Sequence, residues 1–438
     1  MLLRDKSILY VLCIVLFSCQ KEQNSISPYQ EDLSEAFGMA VPHLVHGRLI
    51  DAVARYNMGV RWIRRDITWE NIEKIRGVFD FSEIDTVVNR DIGSGTNVLG
   101  ILDYSNLLYI KNPNATTSYP PDTLEYFGNY VTQTVTHFKG RINVWEIWNE
   151  PNGPTFWKPQ PNPREFGKLV LEAAQKIRAA DPSAKIMLGG MVGNSDPVFF
   201  SLRPWGFLED LLRIYPDIVK YIDIYAIHPY TLLQSPSPED GTFLIKIGYI
   251  DMLKNFKTVL NKYGAETKQI WATELGWHTA VQAPIFKGVS ETLQGAYMVR
   301  ACVLALSLEI QKVFPYTYCD GEGDLTQSEA HFGMFYYKPH PAENEPYLPK
   351  PAYYAYKTMF EQLNATHFTE DLRQGMNLSS QIYAYQFENV IVAWTTASSG
   401  KSIQLKNIPV RVIQMDGTES VPASAEISLS QNPCYIRI

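Results

Sequence analysis

Eightfold alternation is the feature that most constrains this chain. Short apolar runs rich in β-branched and aromatic residues occur at 37–41, 60–66, 97–102, 143–149, 185–189, 222–228, 270–274 and 312–318, with helical patterns between them. Their mean spacing of about 39 residues suits a βα unit with modest loops. Eight such units predict an α/β fold, a (β/α)8 barrel, over an open doubly wound sheet. No G-x-G-x-x-G follows a strand, which weakens a dinucleotide-binding reading.

The helices carry their own start signals. Asn162-Pro163-Arg164-Glu165 offers an Asn cap, Pro in the first helical position and Glu three residues after the cap. Phe166, Leu169, Val170, Ala173, Ala174 and Ile177 then follow a helical period until Asp181-Pro182 stops it. Asp122-Thr123-Leu124-Glu125 repeats the pattern, with Asp122 as the expected cap, ahead of Phe127, Tyr130, Val131 and Val135.

Both ends differ from this middle. A short charged segment is followed by ten apolar residues, 8–17, too few to span a bilayer as a helix. They end in Leu16-Phe17-Ser18-Cys19, which resembles a bacterial lipobox. That implies a signal peptide over 1–18, lipidation at Cys19 and a polar tether over 19–35. An ordinary secretory signal with a chance cysteine is the alternative. The expected location is the bacterial cell envelope, outside the cytoplasm and anchored to a membrane face. The catalytic barrel is expected over 36–365. Within it, 321–351 has little periodicity and five prolines, and reads as a long loop on the C-terminal face. From 366 to 438 the chain turns to short strands (382–387, 390–395, 401–405, 411–415 and 435–438), predicting a small β-sandwich.

Composition narrows the partners. A net charge of −7 gives no general attraction to nucleic acid. Beyond the leader, Cys302, Cys319 and Cys434 are too widely spaced for a zinc motif. Cys302 lies in an apolar run that predicts buried packing, with a Cys302–Cys319 bridge left open. Aromatics are 13% of residues, including 9 Trp, a bias expected of a core or of a surface that stacks on sugar rings.

Two strand ends carry the chemistry. The fourth runs Val144-Trp145-Glu146-Ile147-Trp148-Asn149-Glu150-Pro151-Asn152, and the seventh Ile270-Trp271-Ala272-Thr273-Glu274-Leu275-Gly276-Trp277. In a barrel such ends meet around one pocket, so Glu150 and Glu274 would face each other across it. Glycosidic hydrolysis uses two such carboxyls. One protonates the leaving oxygen, and the other attacks the anomeric carbon or activates water. This chemistry needs neither a metal nor a cofactor, and its partner is a carbohydrate substrate. Retention requires the two carboxyls ~5–5.5 Å apart, and inversion more than ~6.5 Å.

Trp148-Asn149-Glu150-Pro151-Asn152 closing strand four, with Thr273-Glu274-Leu275-Gly276 closing strand seven, resembles clan A of the glycoside hydrolases. Family 39 looks nearest and family 5 next. The resemblance implies a retaining glycosidase in which Glu150 is the acid/base and Glu274 the nucleophile. It gives Asn149 to the sugar 2-hydroxyl and Arg64 to the nucleophile, where its charge keeps Glu274 ionised. Tyr230 would hold the nucleophile or the sugar. His228 would line the same pocket, or stand as a satisfied core histidine. Strand parity alone does not separate Arg64 from Arg61 and Arg65. Glu146 is expected to be buried and structural, and His43 is a further candidate for the pocket. Trp148 and Trp277 are candidates for sugar stacking, among five tryptophans near the two glutamates. Strand eight often presents Trp in this clan, whereas here Tyr318 is the expected substitute. The acidic trio Asp320, Glu322 and Asp324 reads as a solvated loop or a hydroxyl contact. A carbohydrate-binding barrel without catalysis is the competing function. The absence of G-x-S-x-G and H-E-x-x-H removes serine- and zinc-hydrolase readings.

Overall fold

Strand alternation becomes a ring in the computed structural model, which describes residues 32–42, 47–193, 203–231, 237–239, 248–284 and 287–438. Cys19, the predicted leader and His43 lie outside the described residues. Eight parallel strands follow in sequence order: β1 Gly38–Ala40, β2 Trp62–Asp66, β3 Asn97–Leu102, β4 Val144–Ile147, β5 Lys185–Gly193, β6 Ile224–Pro229, β7 Gln269–Leu275 and β8 Lys312–Pro315. Parallel bridges Phe37–Val313 and Ala40–Tyr316 bring β8 back against β1, so the sheet is a nearly closed barrel.

The helices obey the sequence signals, with one difference. Pro163–Ala180 starts where the Asn162 carboxamide oxygen accepts from the Arg164 and Glu165 amides, and it buries the expected stripe. Leu124–His137 has Thr123 rather than Asp122 in the cap position, and the Thr123 side chain makes no cap hydrogen bond. The Asp122 carboxylate instead accepts from the Lys111 amide, 3.0 Å away. The last residues of the expected tether, Leu33–Glu35, form a short turn tied to the barrel. The Glu35 carboxylate accepts from Trp62 Nε1 at 3.0 Å.

Period two sorts each strand into an inner and an outer face. Inside, the lower half of the barrel is an apolar plug of Leu99, Val144, Met187, Ile224, Ala226, Trp271 and Phe314. Each large side chain there contributes about 1.5–3 kcal/mol relative to exposure. Gly38 is required by this plug, since a Cβ would sit 2.4 Å from the Phe314 ring. Outward-facing residues pack on the helices. Arg65, for example, leaves the barrel to pair with Asp91 at 2.8 Å.

After the helix Pro351–Leu363 the chain forms β9 Phe368–Asp371, β10 Ile382–Phe387, β11 Val390–Thr395, β12 Lys401–Gln404, β13 Arg411–Gln414, β14 Glu419–Ser420, β15 Glu426–Leu429 and β16 Cys434–Arg437. Six of these make one antiparallel sheet, ordered β14-β13-β16-β11-β10-β9, and β12 pairs with β15 alone. One face of the larger sheet, with Tyr385, Val392, Trp394 and Tyr435, belongs to the main core. Its other face, with Ala384, Ile391, Ala393 and Ile436, packs with Ile403 and Ile427 of the small ribbon. Two buried faces explain why β11 reads as an unbroken apolar run. Glu239 clamps the junction. Its carboxylate accepts from Trp394 Nε1 at 2.7 Å and from the Arg300 guanidinium. Cys302, Cys319 and Cys434 are all buried free thiols, so the Cys302–Cys319 bridge is not formed.

Candidate active site

Two residues above the apolar plug, the same inward positions become charged. Arg64 follows Trp62 on β2, and Glu146 follows Val144 on β4. Both are buried, and they pair through two hydrogen bonds: Arg64 Nε to Glu146 Oε2 at 2.7 Å and Nη2 to Oε1 at 3.0 Å. Glu146 also accepts the Gly190 amide at 2.7 Å. A buried carboxylate satisfied in this way fixes the guanidinium, whose free edge then points to the pocket. From there Arg64 donates to Asn149 Oδ1 at 2.9 Å and to Glu274 Oε1 at 2.5 Å. The contacts of the three arginines, and not parity alone, separate them. Arg64 faces in and Arg65 faces out, while the Arg61 guanidinium lies over the Tyr56 and Phe360 rings.

Glu274 stands near the end of β7 and receives a second donor, the Tyr230 hydroxyl, at 2.9 Å. Glu150 lies just beyond β4, where Trp148 and Glu150 take positive φ values of 67° and 47°. Non-glycine residues hold that conformation only when their surroundings enforce it. Here Glu150 N donates to Gly190 O at 2.9 Å. Asn152 and Val192 exchange two hydrogen bonds of 2.8 and 2.9 Å, pinning the turn to β5. The Glu150 carboxylate meets His228 Nδ1 at 2.8 Å, and His228 Nε2 meets Thr273 Oγ1 at 3.0 Å. Gly190 makes room for that ring, because a Cβ there would lie 2.1 Å from His228 Nε2.

Ligating atoms of Glu150, His228 and Glu274 all lie within 4.8 Å of one another. One oxygen of each carboxylate thus lies within 4.8 Å of the other, which agrees with the close pair that retention uses. Such a trio could hold a metal ion by spacing alone. However, Glu274 has Arg64 on one oxygen and Tyr230 on the other, and a guanidinium at 2.5 Å would repel a cation. The donor set fits a carboxylate held for its own chemistry.

Burial raises both carboxyls. Glu150 is pushed well above the ordinary range, first by desolvation and then by the charge of Glu274, with Glu329 adding to it. Glu274 rises to about 7 through burial, against the pull of Arg64 and Tyr230. The arginine therefore lowers Glu274 without bringing it below its ordinary value, because desolvation outweighs the cation. The order of the two still sets their roles, with the proton on Glu150. His228 is driven well below its ordinary value by burial and Arg64, so it stays neutral.

A cavity of about 370 Å³ opens above these groups, lined by Arg64, Asn149, Glu150, Tyr230 and Glu274. Its aromatic wall is made of Tyr104, Phe156, Tyr316 and Phe332. The structure thus brings Arg64, Asn149, Glu150, Tyr230 and Glu274 together. His228 is fully buried behind Glu150 and is not on the cavity wall, so it positions the carboxyl instead of binding substrate. Trp148, Trp277 and Tyr318 are absent from the wall as well. Trp148 is buried, and its Nε1 donates to Phe156 O at 2.9 Å. Trp277 packs on Tyr297 with ring centroids 5.6 Å apart. Tyr318 packs against Phe335 beneath the Arg55 guanidinium. Tyr316 takes the place expected for Tyr318, because β8 ends at Pro315 and the alternation stops one ring later. Asp320 is no solvated residue: it is buried and accepts from Lys350 Nζ at 3.2 Å.

Tyr104 was not expected in this group. Its hydroxyl accepts from Asn149 Nδ2 at 2.7 Å, and the signal for it is its place just past the end of β3. Asp103 beside it is fully buried, with both carboxylate oxygens lacking a partner among the described residues. Desolvation and the charge of Asp66 raise it well above the ordinary carboxylate range.

Comparison with known proteins places this geometry. The chain is 25% identical over 260 residues to a β-xylosidase of Geobacillus stearothermophilus, covering 56% of this chain and 47% of that protein. It is 30% identical over 128 residues to endo-1,4-β-xylanase A of Phanerodontia chrysosporium, covering 27% and 30%. The chain thus spans about half or less of the length of these relatives. In fold it is similar to a family 39 glycoside hydrolase of Bacteroides cellulosilyticus WH2, with a TM-score of 0.74 at 22% identity over 93% of this chain and 82% of that one. A monomeric β-xylosidase of Caulobacter crescentus CB15 follows the same fold, with a TM-score of 0.65 at 14% identity over 93% and 96%. The model of the cellulase family matches residues 49–297, more than half of the chain and the stretch that holds both glutamates; the chain belongs to glycosyl hydrolase family 5, within the clan that its two strand-end motifs resemble.

Proposed function

We propose that this protein is a retaining glycosidase that cleaves β-linked O-glycosides of an oligo- or polysaccharide. The observation that carries this reading is the facing pair Glu150 and Glu274, with oxygens within 4.8 Å and unlike surroundings. Glu274 attacks the anomeric carbon as the glycosidic C–O bond breaks, and Glu150 delivers its proton to the departing oxygen. Glu150 then takes a proton from water as that water attacks the glycosyl ester and frees Glu274. Arg64 and Tyr230 hold the attacking carboxylate, His228 orients the acid, and Asn149 with Tyr104 faces the sugar hydroxyls. The printed activities of the relatives make β-xylosides the first substrates to try.

The test is a screen of residues 32–438 against aryl β-glycosides and polysaccharides, with Glu274→Ala and Glu150→Ala beside the parent. Turnover lost in Glu274→Ala, and restored to Glu150→Ala by azide as the retained glycosyl azide, supports the roles. Undiminished turnover in Glu274→Ala contradicts them. We further propose that Cys19 carries a lipid that holds the enzyme outside the cytoplasm in the bacterial envelope. The support is the sequence Leu16-Phe17-Ser18-Cys19 after ten apolar residues. Labelled palmitate entering the parent but not Cys19→Ala is the expected result, and equal labelling overturns it.

A further inference from the structure

Beside the catalytic cavity lies a second, of about 670 Å³, between the segments that follow β7 and β8. Its size falls among pockets that hold small molecules, roughly 300–1,000 Å³. Pro284 forms part of one wall, and Glu322, Thr326, Gln327, Ser328 and Glu329 form the other. Glu329 lines both cavities and is itself exposed, so its carboxylate is open to a ligand from either side. The two segments are tied together: Gln282 N donates to Leu325 O at 3.1 Å, and Thr279 N donates to His331 O at 2.9 Å. The walls are therefore pre-formed.

We propose that this second cavity is a subsite for a further, neutral sugar residue of the same substrate chain, with Glu329 reaching hydroxyls on both sides of the join. The proposal deepens the glycosidase reading and rests on it. Hydroxyls, a carboxamide and carboxylates, set against an apolar proline face, match the alternating polar edge and apolar face of a pyranose. Two carboxylates, with no lysine or arginine among the described lining residues, set the sign of the ligand. A uronate or sulfated sugar would meet like charges from Glu322 and Glu329 there, with no compensating cation among the described lining residues. A neutral sugar gains charge-assisted hydrogen bonds to the same carboxylates.

The experiment is steady-state kinetics of the full-length protein on 4-nitrophenyl β-xyloside and β-glucoside, and on xylo- and cello-oligosaccharides of two to four units. The expected kcat/KM rises about tenfold from the monoglycoside to the longer chain of the same sugar, a gain of the size one added contact set supplies. Gln327→Ala and Glu329→Gln, each checked for native thermal melting, are expected to lower the oligosaccharide-to-monoglycoside ratio by about tenfold. A calorimetric titration of Glu274→Gln should find a neutral xylotetraose bound at least ten times more tightly than one carrying glucuronate side groups. Absence of turnover of every probe by the parent strikes the glycosidase reading itself. Turnover of a monoglycoside with no gain from length, a gain that both variants retain, or tighter binding of the glucuronate form overturns the subsite.

Discussion

The lower and upper halves of the barrel interior are built from the same strands, two residues apart, and obey opposite rules. Below, Val144, Leu99, Ile224 and Phe314 fill space with apolar surface. Above, Arg64, Glu146, Asn149 and Glu274 are buried or nearly so and joined by hydrogen bonds of 2.5–3.0 Å, while buried Glu150 is held by His228 at 2.8 Å. The lower half spends no hydrogen-bonding capacity and tolerates substitution of similar volume. The upper half is stable only while every charge keeps its partner, since an unpaired buried charge costs far more than a lost contact. The difference locates the chemistry: the charged network holds two carboxyls at distinct protonation states, and the plug beneath gives it a rigid floor.

The sharpest way to break the contrast is in the upper half. Glu274→Ala should lower kcat by about 10⁴-fold or more, measured on any aryl glycoside that the parent cleaves, with little change in melting temperature. Glu150→Ala should lower it by about 10²–10⁴-fold, with the smallest loss on substrates whose leaving groups need no proton. Arg64→Met leaves Glu146 and Glu274 without their cation and should cost ~3–5 kcal/mol by denaturant titration, along with most activity. Met187→Ala in the plug should cost ~2–5 kcal/mol while the folded fraction keeps kcat within a few-fold. If it abolished catalysis at full folding, the two halves would not be separable.

pH sharpens the comparison further. Activity needs Glu274 ionised and Glu150 protonated. Lowering pH through about 7 protonates Glu274 and should cut the rate, and raising pH through the higher value of Glu150 strips the acid and should cut it again. Tyr230→Phe removes a donor to the Glu274 carboxylate, so its acid limb should move to higher pH.

Some of this was legible in the sequence for definite reasons. Strand spacing, the Asn162 cap and the ends of β4 and β7 are local signals, and local signals place residues on a barrel well. Strand phase broke down where ladders stop. Past Pro315 the alternation that put Phe314 inward holds for Tyr316 and then lapses, so Tyr318 went to the core. Nearness in sequence also misled. Trp145, Trp148, Trp157, Trp271 and Trp277 flank the glutamates, yet all are at most 5% exposed and none lines the cavity. The rings that do line it, Tyr104, Phe156, Tyr230, Tyr316 and Phe332, come from the segments after β3, β4, β6 and β8, a convergence only the closed barrel produces. The role of Glu146 needed the structure for the same reason: its partner Arg64 is two strands away.

The central claim is that Glu274 forms a bond to the sugar and Glu150 serves the oxygen. Proton NMR of the first product released from an aryl β-glycoside tests it most directly. The account predicts the β-anomer first, with the α-anomer growing only as the sugar mutarotates; an α-anomer formed first would mean direct attack by water and would contradict it.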